Sequence, residues 1–381
     1  MKHFLKSLII CLILCATLAA PAQIGHSAGT TNQYLVQLTY FNSKVQDSLA
    51  KEGFNVIDHY SFEQTQYAVV TGSKGLDVLQ KLPFVKLAEQ DQAVKAKGFS
   101  QLLPWGLKST GAAKLKGKGC ACNIAIIDSG ISDHVDLKGR VKSKVTYLYG
   151  QEIKGEAADR TKVQHGTHVA GIVAANNNSI GVTGMDPNAN LLIVKAMDDS
   201  GTGFLSDVSK GIAWAIEKKA QIINLSLELQ GNSAILENIL KKAYDKGISV
   251  VVASGNEGTG IGYPASSPYV ISVGAVDESK KVTEWSNADK RLTILAPGDT
   301  ILSTVNTKDY MYLSGTSMAA PYVAGAIGLI LPKYTGVQNG QKVEWVKSRL
   351  QDYGEQVTIT RGKSKYTVPS LNIYKSYYSL K

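Results

Sequence analysis

Asn123-Ile124-Ala125-Ile126-Ile127-Asp128-Ser129-Gly130 shows no alternation of apolar and polar residues: an unbroken apolar run leads into an acid and then a Ser-Gly turn. A strand that is apolar on both faces is covered on both faces, the condition of a parallel sheet with helices packed above and below it. Short apolar, β-branched runs of the same kind return at 191–196, 222–227, 249–253 and 270–276. Residues 207–219, 235–246 and 318–331 have instead the spacing of amphipathic or buried helices. Strands alternating with helices in this way predict a doubly wound α/β domain with a mostly parallel sheet and helices on both faces.

Upstream, residues 34–38, 45–51, 55–60, 67–70, 75–81 and 85–88 read as strand, helix, strand, strand, helix and strand. That βαββαβ order is a small α+β unit in its own right. A segment rich in Lys, Ala and Gly at 93–98 reads as the linker to the larger domain. The chain begins Met1-Lys2-His3-Phe4-Leu5-Lys6, runs apolar over 8–20, and continues into Ala20-Pro21-Ala22 and His26-Ser27-Ala28. A basic start, a short apolar core and small residues beyond it describe a secretory signal peptide. The run is shorter than the roughly 18 residues of a membrane span and has no stop-transfer pattern, so no stable membrane anchor is expected. The expected division is a signal segment at 1–28, a small domain at 29–99 and a large one at 100–381.

Of the cysteines, Cys11 and Cys15 fall inside the signal segment, each behind a bulky Ile10 or Leu14, unlike a lipoprotein signal. Cys120 and Cys122 remain. Residues two apart rarely reach disulfide geometry, so these read as small residues packed at the start of a strand. The 381 residues are 44% hydrophobic and 19% charged, which excludes wholesale disorder. The net charge of +10 is carried by scattered lysines without aromatic interleaving, so no nucleic-acid partner is expected.

In open parallel sheets the functional groups gather at the carboxyl ends of strands, and Asp128 stands at such an end. In Val163-Gln164-His165-Gly166-Thr167-His168-Val169-Ala170-Gly171 two imidazoles fall on one helical face. The zinc-protease helix requires His-Glu-x-x-His, and neither its spacing nor its Glu is present. His165 is therefore the candidate general base and His168 a packed or hydrogen-bonded neighbour. In Val251-Val252-Ala253-Ser254-Gly255-Asn256-Glu257-Gly258 a strand ends in a glycine turn that carries the amide of Asn256, a donor for an oxyanion. Ser314-Gly315-Thr316-Ser317-Met318-Ala319-Ala320-Pro321 is a small-residue turn opening an apolar helix. Alone, Ser317 reads as an N-cap. With a base and an orienting acid elsewhere in the chain, it reads as a nucleophile at a helix N-terminus.

Asp128, His165, Asn256 and Ser317, with the blocks around them, resemble the subtilisin family of serine proteases, whose chain order is Asp, His, Ser on an α/β fold. A lipase reading fails, because Ala319 replaces the second Gly of Gly-x-Ser-x-Gly and no His follows Ser317. The resemblance implies that Ser317 attacks, His165 carries the proton, Asp128 orients the imidazole, and Asn256 with the Ser317 amide holds the oxyanion. It implies substrate binding along Gly201 and Gly203, Ser226, Leu227 and Glu228, with Gly255 near the wall of the first pocket. Where the family continues Ser-Leu-Gly-Gly, this chain has Glu228-Leu229, a carboxylate that narrows access, favours a basic residue, or turns to solvent. It further implies a structural Ca²⁺ held by Gln101, Asp136, Asn176, Asn178, Ile180 and Val182. The family's second cation site looks altered by Arg291. The region 29–99 corresponds to an inhibitory prodomain. Matching Pro104-Trp105-Gly106 to the family's mature start places self-cleavage after about Phe99, and hence a large apolar residue in the first pocket. The expectation is a secreted, extracellular, monomeric serine endopeptidase acting on proteins and peptides and held by its own prodomain. The competing reading is a catalytically silent, secreted peptide-binding protein.

Overall fold

The computed structural model describes residues 32–91, 101–115, 118–362 and 364–379. The signal segment 1–28, the linker 93–98 and the junction after Phe99 lie outside the described residues. The chain divides into two compact units, Met1–Lys97 and Gly98–Lys381.

In the first unit, β1 (Asn32–Leu38), α1 (Ser43–Lys51), β2 (Phe54–Phe62), β3 (Thr65–Gly72), α2 (Leu76–Leu79) and β4 (Val85–Gln90) follow the expected order. The sheet runs β2-β3-β1-β4 and is antiparallel throughout. Tyr34, Val36 and Leu38 alternate inward from β1 and meet Val45 and Leu49 of α1, so one face of the sheet is covered. Asn42 caps α1 by accepting from Val45 N at 3.1 Å. The second helix is a single turn, shorter than the sequence pattern over 75–81. After Leu79 the backbone bonds tighten, with Lys81 N reaching Val78 O and Leu82 N reaching Leu79 O.

The second unit contains α3 (Trp105–Ser109), β5 (Asn123–Asp128), β6 (Val141–Leu148), β7 (Gln151–Lys154), α4 (His165–Ala174), β8 (Asn190–Lys195), α5 (Leu205–Glu217) and β9 (Ile222–Leu225). It continues with α6 (Ala234–Asp245), β10 (Ser249–Ala253), β11 (Ile271–Val276), β12 (Ile294–Pro297), β13 (Ile301–Val305), β14 (Asp309–Leu313), α7 (Thr316–Ile330), α8 (Gly340–Asp352), β15 (Glu355–Arg361), β16 (Ser364–Ser370) and α9 (Ile373–Tyr378). Its main sheet has the order β15-β16-β12-β11-β10-β9-β5-β8-β6-β7. The strands from β16 to β6 are parallel, and β15 and β7 close the two edges as antiparallel hairpin partners.

The unbroken apolar run of β5 has a direct structural meaning. Ile124 and Ile126 pack into the core beneath α4 and α7, whereas Ala125 and Ile127 pack into the core beneath α5 and α6. The sheet is thus the middle of three layers, as the doubly wound reading expects. Among the described residues no helix is long and apolar enough to cross a membrane.

One expectation is corrected. Cys120 and Cys122 are joined as a disulfide, with Cα atoms 5.1 Å apart. On an extended strand, residues two apart stand roughly 6.6 Å apart. The segment ahead of β5 is bent rather than extended, and the bend brings the pair into bridging range.

Candidate active site

At β5 the winding of the sheet reverses, with β8 on one side and β9 on the other, and such a switch point opens a crevice at the carboxyl ends of the strands. Asp128, the last residue of β5, is fully buried there. Its Oδ1 accepts from Ser129 N at 2.7 Å and lies 2.7 Å from His165 Nδ1. A carboxylate only accepts, so Nδ1 carries the hydrogen and Nε2 is left with a free lone pair. Burial alone would lower the His165 pKa, but the charge and hydrogen bond of Asp128, with the charge of Asp159, outweigh it and hold the pKa above the usual histidine value.

Asp159 is a residue the sequence reading missed. It is buried, and its Oδ1 accepts from the hydroxyls of Ser129 at 3.0 Å and Thr161 at 2.8 Å. Its Oδ2 accepts from Thr167 N at 2.9 Å and the Thr167 hydroxyl at 2.8 Å. Ser129 Oγ in turn accepts from Gly166 N at 2.9 Å. One buried carboxylate therefore ties the turn after Asp128 to the first turn of α4, where His165 stands. In sequence it is a lone acid in a loop, with no periodicity or motif to single it out.

His168 has the packed role expected of it. It is fully buried, its Nε2 lies 3.1 Å from Ile301 O and 2.9 Å from Met311 O, and burial pushes its pKa down to about 4. It stays neutral and fastens the β13–β14 hairpin to α4.

Helix α7 begins at Thr316, with Gly315 as its N-cap and no side-chain capping bond. Ser317 is therefore not a cap. It sits inside the first turn, where the amide N–H has no intrahelical partner and points out of the helix end. Pro321, four residues on, has no N–H to offer Ser317 O, and the Ser226 hydroxyl donates to that carbonyl instead, at 2.9 Å. In return the Ser317 hydroxyl donates to Ser226 O at 3.3 Å. Buried Asn224, also missed in sequence, donates from Nδ2 to Ser226 Oγ at 2.9 Å. Opposite them, Asn256 Oδ1 accepts from Thr316 N at 2.9 Å and the Thr316 hydroxyl at 3.1 Å. The N–H needs an acceptor, which fixes the oxygen of the amide there and leaves its NH₂ free to donate.

His165, Asn256 and Ser317 line one cleft of about 640 Å³. The expected substrate contacts Gly201, Gly203, Ser226, Leu227, Glu228 and Gly255 line the same cleft. Asp198 shapes the 200–203 segment by accepting from Ser200 N at 2.9 Å and Thr202 N at 3.1 Å.

The expected calcium ligands gather elsewhere in this unit. The Gln101 amide lies 2.6 Å from Asn176 O and 3.2 Å from Val182 O, and the Asn178 amide lies 2.7 Å from Asp136 Oδ1. Buried Asp136 also accepts through Oδ2 from Val182 N at 3.0 Å and the Tyr310 hydroxyl at 3.1 Å. Ile180 N closes the loop on Asn178 Oδ1 at 3.1 Å. An amide has nearly the same shape with its oxygen and nitrogen exchanged, so a half-turn of Gln101 brings an oxygen among carbonyls. One carboxylate, two amides and main-chain carbonyls fit a hard Ca²⁺ ion. Among the described residues no group of three or more His, Cys, Asp or Glu could hold a metal. Arg291 forks onto Asp289, with Nη2 2.6 Å from Oδ2 and Nε 3.1 Å from Oδ1.

The sequence model of the subtilase family matches residues 119–357. Subtilisin E of Bacillus subtilis is 34% identical over 382 aligned positions, covering 96% of this chain and 96% of that protein. The thermostable alkaline protease of Halalkalibacterium halodurans is 35% identical over 347 positions, covering 90% and 92%. Subtilisin DY of Bacillus licheniformis is 38% identical over 272 positions, covering 69% of this chain and 97% of that protein.

Proposed function

The chain belongs to the subtilase family and is a serine endopeptidase, and from that premise we propose that Ser317 is its nucleophile, made within a secreted precursor that cuts itself after about Phe99. The observation that carries the reading is the 2.7 Å contact of Asp128 with His165, in a cleft that also holds Ser317 and the free amide of Asn256.

In the free enzyme the Ser317 hydroxyl rests on Ser226 O. Binding of a peptide carbonyl turns it toward His165, whose Nε2 takes its proton as Oγ attacks. The tetrahedral oxyanion receives hydrogen bonds from Asn256 Nδ2 and the Ser317 N–H, donors already oriented before the charge develops. His165 returns the proton to the leaving amine, and water then hydrolyses the acyl-enzyme by the same path. The raised pKa of His165 reflects Asp128 stabilising the imidazolium that forms. The peptide lies in extended form against 200–203 and 226–228, so main-chain pairing supplies broad affinity.

The region 29–99 acts as the intramolecular inhibitor, and the mature enzyme is a monomer. The loop 176–182, with Gln101 and Asp136, holds a structural Ca²⁺ that would tie the start of the large domain to its core. The Phe99 junction supports a first pocket that accepts a large apolar residue.

Purified Ser317→Ala precursor tests the assignment. It neither hydrolyses peptides nor processes its own junction, and it accumulates at full precursor length after signal removal. Processing retained in that variant, with other proteases inhibited, would contradict it.

A further inference from the structure

Within the cleft, Glu228 faces the place where the side chain of the attacked residue must lie. That side chain leaves the main chain one bond from the carbonyl carbon, so it enters the recess next to Ser317 and Asn256, bounded by 226–228 and Gly255. The Glu228 carboxylate does not turn away from this recess. A Cβ added to Gly255 would stand 3.0 Å from Glu228 Oε1, and one added to Gly262 would collide with the same oxygen. The carboxylate thus lies along two side-chain-free glycines, exposed to whatever fills the cleft.

A second acid stands behind it. Glu257 Oε2 would lie 2.9 Å from a Cβ on Gly255 and is held by Asn287 Nδ2 at 2.6 Å and Asn256 N at 3.0 Å. Neither acid is in an ion pair among the described residues. The other charges lining the cleft are differently placed: Asp199 is 2.9 Å from Lys195, and Lys162 stands in the segment ahead of His165. Burial, then the charge and hydrogen bond of Glu257, raise the Glu228 pKa, the sign of two carboxyls crowding one site with no cation between them.

We infer that Glu228, backed by Glu257, makes the first substrate pocket selective for a basic side chain, so that the enzyme cuts after Lys or Arg in preference to an unbranched apolar residue. This rests on the endopeptidase reading and names the substrate class of that site. The Phe99 junction is no obstacle. A tethered bond meets the active site at an effective concentration on the order of millimolar, so it is cut without a favourable pocket contact. A free peptide has no such advantage, and there the ammonium or guanidinium forms a charge-assisted hydrogen bond that an apolar side chain cannot.

The test compares kcat/KM for peptides differing only in the attacked residue: Lys, norleucine, which is the lysine carbon chain without its ammonium, and Phe. The mature wild-type enzyme is expected to prefer Lys to norleucine by about tenfold, the scale of one such bond. Glu228→Gln keeps the shape and removes the charge, and it is expected to lower that ratio by about tenfold. Glu257→Gln lowers it less. Added salt lowers it as well, because the pair is open to solvent. A wild-type ratio at or below one, or a ratio that Glu228→Gln leaves unchanged, overturns the inference. Failure of the two readings is distinguishable: cleavage of the Phe or norleucine peptide without preference for Lys sinks only the pocket assignment, whereas no cleavage of any peptide sinks the endopeptidase reading and the inference with it.

Discussion

The roles of His165 and Asn256 each depend on one oriented hydrogen bond, and each gives a prediction. His165 must be neutral to accept the Ser317 proton, and Asp128 and Asp159 hold its pKa above the ordinary 6.5. The acid limb of kcat/KM is therefore expected above pH 6.5, with activity rising as pH rises through it. A limb at or below 6.5 would mean that the Asp128 contact does not persist in solution. Asn256 is oriented by Thr316, so Asn256→Ala removes an oxyanion donor without disturbing the Asp128–His165 contact. The expected loss is about 100- to 1,000-fold in kcat with little change in KM, the range known for losing such an amide in this family. A loss confined to KM would make Asn256 a binding residue only. At this scale the sequence was legible where a residue ends a strand or opens a helix, as Asp128 and Ser317 do. Asp159 and Asn224 were not legible, because the links that give them a role, Asp159 to Ser129 and Asn224 through Ser226 to Ser317, are made only by the fold.

At the scale of elements, two features of the large unit bear on stability. Asp186 is fully buried beneath α7, where a Cβ on Gly328 would stand 2.6 Å from its Oδ2, and that oxygen has no partner. Burial raises its pKa from 3.8 to about 7. The folded state thus keeps a proton that the unfolded state releases. The stability tied to that proton is complete below about pH 4 and lost as pH rises to about 7, up to roughly 4 kcal/mol. Asp186→Asn has no proton to lose, so its melting temperature is expected to exceed that of the wild type by up to ~7 °C at pH 8, with no such gain at pH 4. An equal difference at both pH values would contradict this.

The loop 176–182 is the second such feature. With Asp136 fully buried and carbonyls turned toward Gln101, a bound Ca²⁺ is expected to stabilise the fold by mass action. Chelator should lower the melting temperature, and an unchanged one would remove the site. Among elements, β5, β8, β9, β10, β11 and the helices α5, α6 and α7 were readable from their apolar content, whereas the four-residue β12 and the largely polar α8 were not. The hairpins β6–β7, β13–β14 and β15–β16 were not. Their strands are short or half exposed, as in β7, which is exposed along its whole length, so no apolar run marks them.

For the whole molecule, the order of the sheet explains why residues far apart in sequence meet. Asp128 ends β5 at the switch point, His165 opens α4, Asn256 follows β10 and Ser317 opens α7. Because α4 and α7 pack on the same face of the sheet, base and nucleophile come from neighbouring helices in one core. Strand order is the part that apolar patterning leaves open, and it comes from the structure alone.

The most direct test of the account is covalent labelling of the mature enzyme with a fluorophosphonate, followed by peptide mapping. A single adduct is predicted on Ser317, at a rate that falls at least about 100-fold in His165→Ala, since the hydroxyl is unreactive without its base. Hydrolysis that persists with Ser317 unlabelled, or an adduct on another serine, would contradict it.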